Sequence, residues 1–272
     1  MTISSIRRHP IASYFIVTFT ISWALALSVV SSELVQGRTI SQLDGILMFP
    51  AMLVGQSVTG ILMTRIVDGK KGLTELFGQM REWRVGKYAA ALVVPPVLIL
   101  VTLYSLRSFV SPIFVPNVFI FGIGFGVIAG FLEEIGWTGY AFNKLSLRCS
   151  ALASAILLGA VWGLWHAPVV DFLGAAYPHG QYWLPFYLSF IAIVMAVRIL
   201  IVWLYVNTRS VLVAQATHSS STGFLAVLAP AGVTSAQEAE WYALYALLLW
   251  ILVTGIVLGF GKNLKTGKPS ML

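Results

Sequence analysis

Charge is what this sequence has least of. Only 10% of its 272 residues are Asp, Glu, Lys or Arg, against roughly 25% in soluble domains. That scarcity excludes an ordinary water-soluble enzyme. Cysteine occurs once, at Cys149, so neither an intrachain disulfide nor a cysteine-based metal site can form. HExxH, Walker and CxxC patterns are absent, and with them the usual zincin, nucleotide and dithiol signatures. Strand-like alternation, internal repeats and low-complexity tracts are also missing.

What the chain has is apolar length. It is 58% hydrophobic, with a mean hydropathy of +0.87. Eight apolar runs cover roughly residues 11–31, 43–66, 88–107, 115–142, 151–170, 184–206, 211–229 and 241–261. Each is near the ~20 residues that span a bilayer as helix. Continuous runs without alternation predict helices rather than a barrel. The expected fold is all-α: a polytopic, eight-helix transmembrane bundle forming one integral-membrane domain over 1–272, with a buried polar cavity. The run in "MTISSIRRHPIASYFIVTFTISWALALSVV" exceeds a signal peptide's apolar region and shows no clear small-residue cleavage site, so it reads as the first span. Pro95, Pro96 and Pro168 fall inside or near span ends, where kinks are tolerable.

The formal net charge of +7 does not point to nucleic acid, because the basic residues lie between apolar runs. Fourteen of the seventeen Lys/Arg sit on one side of an alternating topology. They are Arg7 and Arg8, six residues from Arg65 to Lys87, Lys144 and Arg148, Arg209, and Lys262, Lys265 and Lys268. Arg38 and Arg107 fall on the other side, and Arg198 lies inside a span. The positive-inside rule then predicts a multi-pass cell-membrane protein with both termini cytoplasmic. Within the longest inner loop, "DGKKGLTELFGQMREWRVGK", residues Leu73, Leu76, Phe77, Met80 and Trp83 recur at helical spacing. An amphipathic helix on the membrane surface is expected there.

Few strongly polar residues interrupt the runs: Glu133 and Glu134, His166, Arg198, and Gln215 and His218. Ionisable residues within spans are costly and are functional candidates. Residues four apart share a helix face, which puts Thr138 over Glu134, Trp162 under His166 and Thr222 over His218. Adjacent Glu133 and Glu134 diverge by about 100° around the axis. One can therefore face a reaction centre while a neighbouring helix holds the other. A glutamate and two imidazoles can activate water, the carboxylate acting as general base and then acid. The same Glu133, His166 and His218 could instead ligate zinc as a His₂Glu set. A transporter or scaffold could use them, with Arg198, as a proton relay or as helix glue. The glycines of "FGIGFGVIAG" lie in a membrane run without a strand, and predict close helix packing.

In order and spacing these residues resemble the CAAX-processing and bacteriocin-processing (CPBP, or Abi) intramembrane proteases. The family's first motif is E-E-x-x-x-R, usually followed by Gly; "EEIGWTG" supplies Glu133, Glu134 and Gly139. Its second is an aromatic residue, three residues, then His; "WGLWH" supplies Trp162 and His166. Its third is H-x-x-x-N or a small polar substitute; "HSSST" supplies His218 and Thr222. The resemblance covers about residues 75–229. It implies a protease that hydrolyses a peptide bond of a membrane-associated protein or peptide at the lipid bilayer. Glu133, Glu134, His166 and His218 would be catalytic, with Thr222 supporting His218. Two positions depart from the pattern. Thr138 stands at the arginine position and Thr222 at the usual asparagine. Arg198 from the sixth run is expected to replace the missing charge beside Glu134. The family is often labelled as metalloproteases, yet no cofactor is expected. The two histidines come from separate spans, and only Glu134 is an evident acceptor to orient one of them.

Overall fold

The computed structural model describes residues 2–170 and 179–265. All eight apolar runs fold into long helical segments. They are α1 (Pro10–Val29), α2 (Gln42–Val67), α4 (Val94–Phe109, entered through a 3₁₀ stretch Gly86–Val93), α5 (Phe121–Gly136), α6 (Ala151–Trp165), α7 (Trp183–Thr208), α8 (Val211–Leu228) and α9 (Ser235–Phe260). The expected loop helix is α3 (Gly69–Gln79), with Leu76 buried and Phe77 exposed. Local chemistry sets several starts. Pro10 opens α1, and Pro95 and Pro96 lie in the first turn of α4, where a missing N–H costs no helical bond. The hydroxyls of Ser150, Ser210 and Thr234 cap α6, α8 and α9.

Length and apolarity alone pick out five membrane-crossing segments among the described residues: Pro10–Val29, Leu43–Val67, Gly86–Phe109, Gly180–Thr208 and Ser235–Phe260. The eight-span expectation therefore divides. The three segments outside that measure are α5, α6 and α8, which carry Glu133, Glu134, His166 and His218. The reason differs for each. After Gly136 the chain of α5 widens into a π turn, Trp137–Phe142. Helix α6 has only 15 residues. Helix α8 spends its length on Gln215, Thr217, His218 and three serines.

Glycine brings α5 and α8 almost into backbone contact, as the glycine-rich run predicts. A Cβ added to Gly126 would lie 2.3 Å from Gly223 Cα, and one on Gly130 would lie 2.6 Å from Ser219 N. Gly136 meets α2 in the same way, 2.5 Å from Gln56 O. These approaches draw the end of α5, and its two glutamates, into the centre of the bundle.

The two ends of the bundle differ. At one, Arg7 ties the N-terminal arm to the Ile66 carbonyl at the end of α2, Lys144 reaches Asp68 just before α3, and Asn207 of α7 holds the Leu264 carbonyl of the C-terminal turn. At the other, the loop before α5 lies along the end of α8, through a Pro116–Pro230 bridge and a bond from Phe119 N to Val227 O.

Candidate active site

Glu133 and Glu134 occupy the last turn of α5 and point apart, as their helical angle requires. Glu133 lines a cavity of about 660 Å³; Glu134 does not. Both are almost completely buried.

Glu134 sits in an ionic knot. Arg198 of α7 donates from Nη1 to Oε2 at 2.8 Å and from Nη2 to Oε1 at 2.9 Å. Thr138 donates its hydroxyl to Oε2 and lies 3.4 Å from Arg198 Nη1. His218 of α8 donates from Nδ1 to Oε1 at 2.8 Å. Arg198 therefore stands beside Thr138, facing the carboxylate that the resemblance leaves without a charge partner. Its guanidinium also lies over the Trp162 ring, 4.4 Å from the centroid, a cation–π contact.

Glu133 is held differently. Its Oε2 accepts two indole N–H bonds, from Trp162 at 2.6 Å and Trp137 at 3.1 Å. Its Oε1 is 4.0 Å from His218 Nε2. That distance is too long for a direct hydrogen bond. One oxygen is thus fixed and the other is left to face the cavity side.

His166 caps α6 and lines the cavity. Its Nδ1 is 2.8 Å from the Trp162 carbonyl. A carbonyl only accepts, so Nδ1 carries the proton; in the neutral ring Nε2 is then the bare nitrogen. This carbonyl is the second acceptor that the sequence does not reveal, and both histidines are therefore oriented. Trp165 and Phe190 pack edge-on against the His166 ring.

The structure brings together Glu133, Glu134, Thr138, Trp162, Arg198 and His218 by direct contacts, and sets His166 on the same cavity wall. Thr222 lines the cavity beside Ser221; no hydrogen bond joins it to His218, whose ring nitrogens face Glu134 and Glu133. Trp137 is missing from the sequence reading, although its position four residues after Glu133 could have signalled it. A second missed pair is His179 and Glu238, 3.1 Å apart at the far end of the cavity. They join a loop to α9, and no spacing pattern links them.

The fit of a metal is decided by geometry. A tetrahedral zinc ~2.0–2.1 Å from each ligand would hold Glu133 Oε1 and His218 Nε2 about 3.3 Å apart. They are 4.0 Å apart, and among the described residues no group of three His, Cys, Asp or Glu has a metal-holding arrangement.

Residues 115–224 match the family model described as type II CAAX prenyl endopeptidase Rce1-like. The chain is 26% identical to CAAX prenyl protease 2 of Methanococcus maripaludis, over 79% of this chain and 83% of that protein. It is also 28% identical to Aquaporin-8 of Botryotinia fuckeliana, over 58% of this chain and 48% of that protein. The family match begins just before α5 and ends within α8, so it takes in both glutamates, both histidines and Arg198. Over these residues the chain is similar to the CAAX prenyl endopeptidases, a group of intramembrane proteases.

Proposed function

We propose that this protease cleaves membrane-associated proteins or peptides by glutamate-activated water, with Glu133 as the base. The observation that carries the reading is the unequal treatment of the two Glu133 oxygens. Two indoles hold Oε2, and Oε1 looks across 4.0 Å at His218 Nε2. One water can bond both groups across that gap. Oε1 then takes a proton as the water oxygen attacks the scissile carbonyl carbon. The C–N bond breaks, and Glu133 passes the proton to the departing amine nitrogen. The products are a carboxylic acid and an amine. His166 and His218 orient the water through Nε2. A ring that gains a proton can instead donate to the developing oxyanion. Glu134 and Arg198 touch no substrate in this scheme; they hold the His218 ring at its angle.

The cavity wall matches an apolar substrate. Phe49, Phe125, Phe186, Phe190 and Ile193 line it, and only a few polar groups interrupt them, as in ligand cavities generally. A lipid-modified or strongly apolar peptide fits that lining. In this reading Glu133 activates the water without a metal.

The test compares membranes holding wild type with membranes holding Glu133→Gln, and reads new peptide termini by proteomics. Termini present only with wild type support the assignment. Equal cleavage by the Gln variant removes Glu133 from the role.

The similarity to a protein named Aquaporin-8 favours one second reading, a channel or transporter that uses the same buried Glu, His and Arg as a relay. Purified protein in sealed vesicles separates the two. Solute or proton flux without hydrolysis would select transport.

A further inference from the structure

We infer that helix α1, which lies outside residues 115–224 of the family match, is a strut for the reacting groups. Trp23 sets His166 and Tyr14 sets Glu133, each through one intermediary. The inference rests on the protease reading and adds two positioning residues to it.

Helix α1 starts from the end of the bundle that carries Arg7, Arg8 and Lys144, its basic end. Its buried residues Tyr14, Thr18, Ser22 and Ala26 recur every four positions and form one face. Thr18, Ser22 and Ala26 are small, as residues between packed membrane helices are. Helix α1 lies close to α2 through them: Gly55 has no room for a Cβ beside Ser22. Held along that face, α1 can fix the position of whatever its other contacts reach.

Two contacts reach the site. Tyr14 is fully buried, and its hydroxyl takes the space that a Cβ on Gly136 would need. Its ring meets the Trp137 indole edge-on, with centroids 5.7 Å apart. Trp137 is one of the two donors that hold Glu133 Oε2. Nine residues on, about 13 Å along the helix, Trp23 donates its indole N–H to the Trp165 carbonyl at 3.0 Å. Trp165 ends α6 and His166 caps it, so this bond grips the turn that carries the histidine. His166 takes its angle from the same turn, through Nδ1 and the Trp162 carbonyl, and its ring packs against the Trp165 indole. Trp137 and Trp165 also meet edge-on, 6.1 Å apart. The two intermediaries therefore form one aromatic block beside Glu133 and His166, and α1 touches it at two points. Neither Tyr14 nor Trp23 lines the cavity; both act through another residue. A site keeps its geometry only when the groups that hold it are themselves held.

Histidine NMR tests the Trp23 contact on the purified full-length protein in detergent, without reference to hydrolysis. The chain has four histidines, His9, His166, His179 and His218, so a sample labelled with nitrogen-15 at histidine gives few signals, and His166→Ala identifies the one needed. In wild type, His166 should show the Nδ1–H tautomer. Trp23→Phe keeps a ring and loses the N–H. Its His166 signal should move toward the average of two tautomers, with His218 unmoved. Trp250→Phe is the matched control. It deletes the same kind of bond, from Trp250 Nε1 to the Ala192 carbonyl at 3.0 Å, and should leave His166 unmoved. Release of the peptide termini that wild type produces should fall about tenfold in Trp23→Phe, the order of one lost hydrogen bond. Tyr14→Leu tests the other contact independently. It should speed solvent exchange of the Trp137 indole N–H, the proton that Glu133 holds. An unmoved His166 signal in Trp23→Phe, an equal movement in Trp250→Phe, or undiminished release of termini overturns the role of Trp23. Unchanged exchange at Trp137 in Tyr14→Leu removes Tyr14 from the strut. A moved His166 signal in a protein that releases no termini even as wild type would leave the strut standing and remove the protease reading instead.

Discussion

Arg198 grips Glu134 at two points, Nη1 to Oε2 at 2.8 Å and Nη2 to Oε1 at 2.9 Å, with neither side chain reaching solvent. The two residues are 64 positions apart and come from α7 and α5. Parallel N–H···O bonds of this kind suit the guanidinium fork and cannot be copied by an ammonium.

Removing the fork leaves a buried carboxylate alone. Arg198→Ala should therefore destabilise the protein by about 3–5 kcal/mol, read as a lower melting temperature in detergent. Arg198→Lys should recover only part of that loss. Because Thr138 Oγ1 lies 3.4 Å from Arg198 Nη1, Thr138→Arg added to Arg198→Ala should bring a guanidinium back to Glu134 and restore stability. An Arg198→Ala protein that melts like wild type would show that the pair contributes nothing.

Glu133→Gln keeps the size of the side chain and can still accept the two indole N–H bonds. It cannot take a proton from water. The rate should fall by about 10²–10⁴-fold, the usual contribution of a general base, while the melting temperature stays close to wild type. A variant that unfolds would instead assign Glu133 to the structure of the core.

The indoles of Trp137 and Trp162 aim the carboxylate. Replacing either by Phe preserves the ring and deletes one donor to a charged acceptor, an interaction of about 1.5–3 kcal/mol. Turnover should drop with little change in KM, and more for Trp162, whose bond is the shorter at 2.6 Å. A fall in stability at unchanged turnover would count against positioning.

Gly126→Val should separate α5 from α8, since even a Cβ there would sit 2.3 Å from Gly223 Cα. Overpacking of this sort costs about 1–3 kcal/mol or more. Gly124→Ala, on the open face with nothing within 4 Å, is the matched control and should be tolerated. Melting curves of the pair decide it.

Activity should survive exhaustive chelation, and the purified protein should contain no stoichiometric zinc. Both are expected if Glu133 itself activates the water. Loss of activity on chelation, restored by one equivalent of a divalent metal, would recast Glu133, His166 and His218 as ligands.

The sequence discloses whatever depends on position along one helix. The eight helical segments follow from apolar runs. The divergence of Glu133 and Glu134 follows from 100° per residue, and the close packing of α5 from its glycines, though not that α8 is the partner. Arg198 stands out because a bilayer tolerates no idle guanidinium. What stays hidden depends on two helices meeting. Nothing in "WGLWH" says that the indole of Trp162 reaches Glu133, 29 residues away, or that its carbonyl fixes the His166 tautomer. The His179–Glu238 contact needs a loop and a helix brought together by the fold. Polar residues also blur the span count: a helix that spends its residues on chemistry, as α8 does, looks too polar to cross.

The π turn at Trp137–Phe142 gives the α5 segment two registers on one axis. Each residue added to a turn rotates everything beyond it by about 100°. Before the turn, the register serves Glu133 and Glu134. Beyond it, a second register sends Asn143 to Tyr205 and Lys144 to Asp68. A change that tightened the turn to ordinary α geometry would leave the two glutamates where they are and swing Asn143 and Lys144 off their partners. The segment works as a phase shifter, and its failure would first show as a loosened anchor at the basic end, with the reacting groups still aligned.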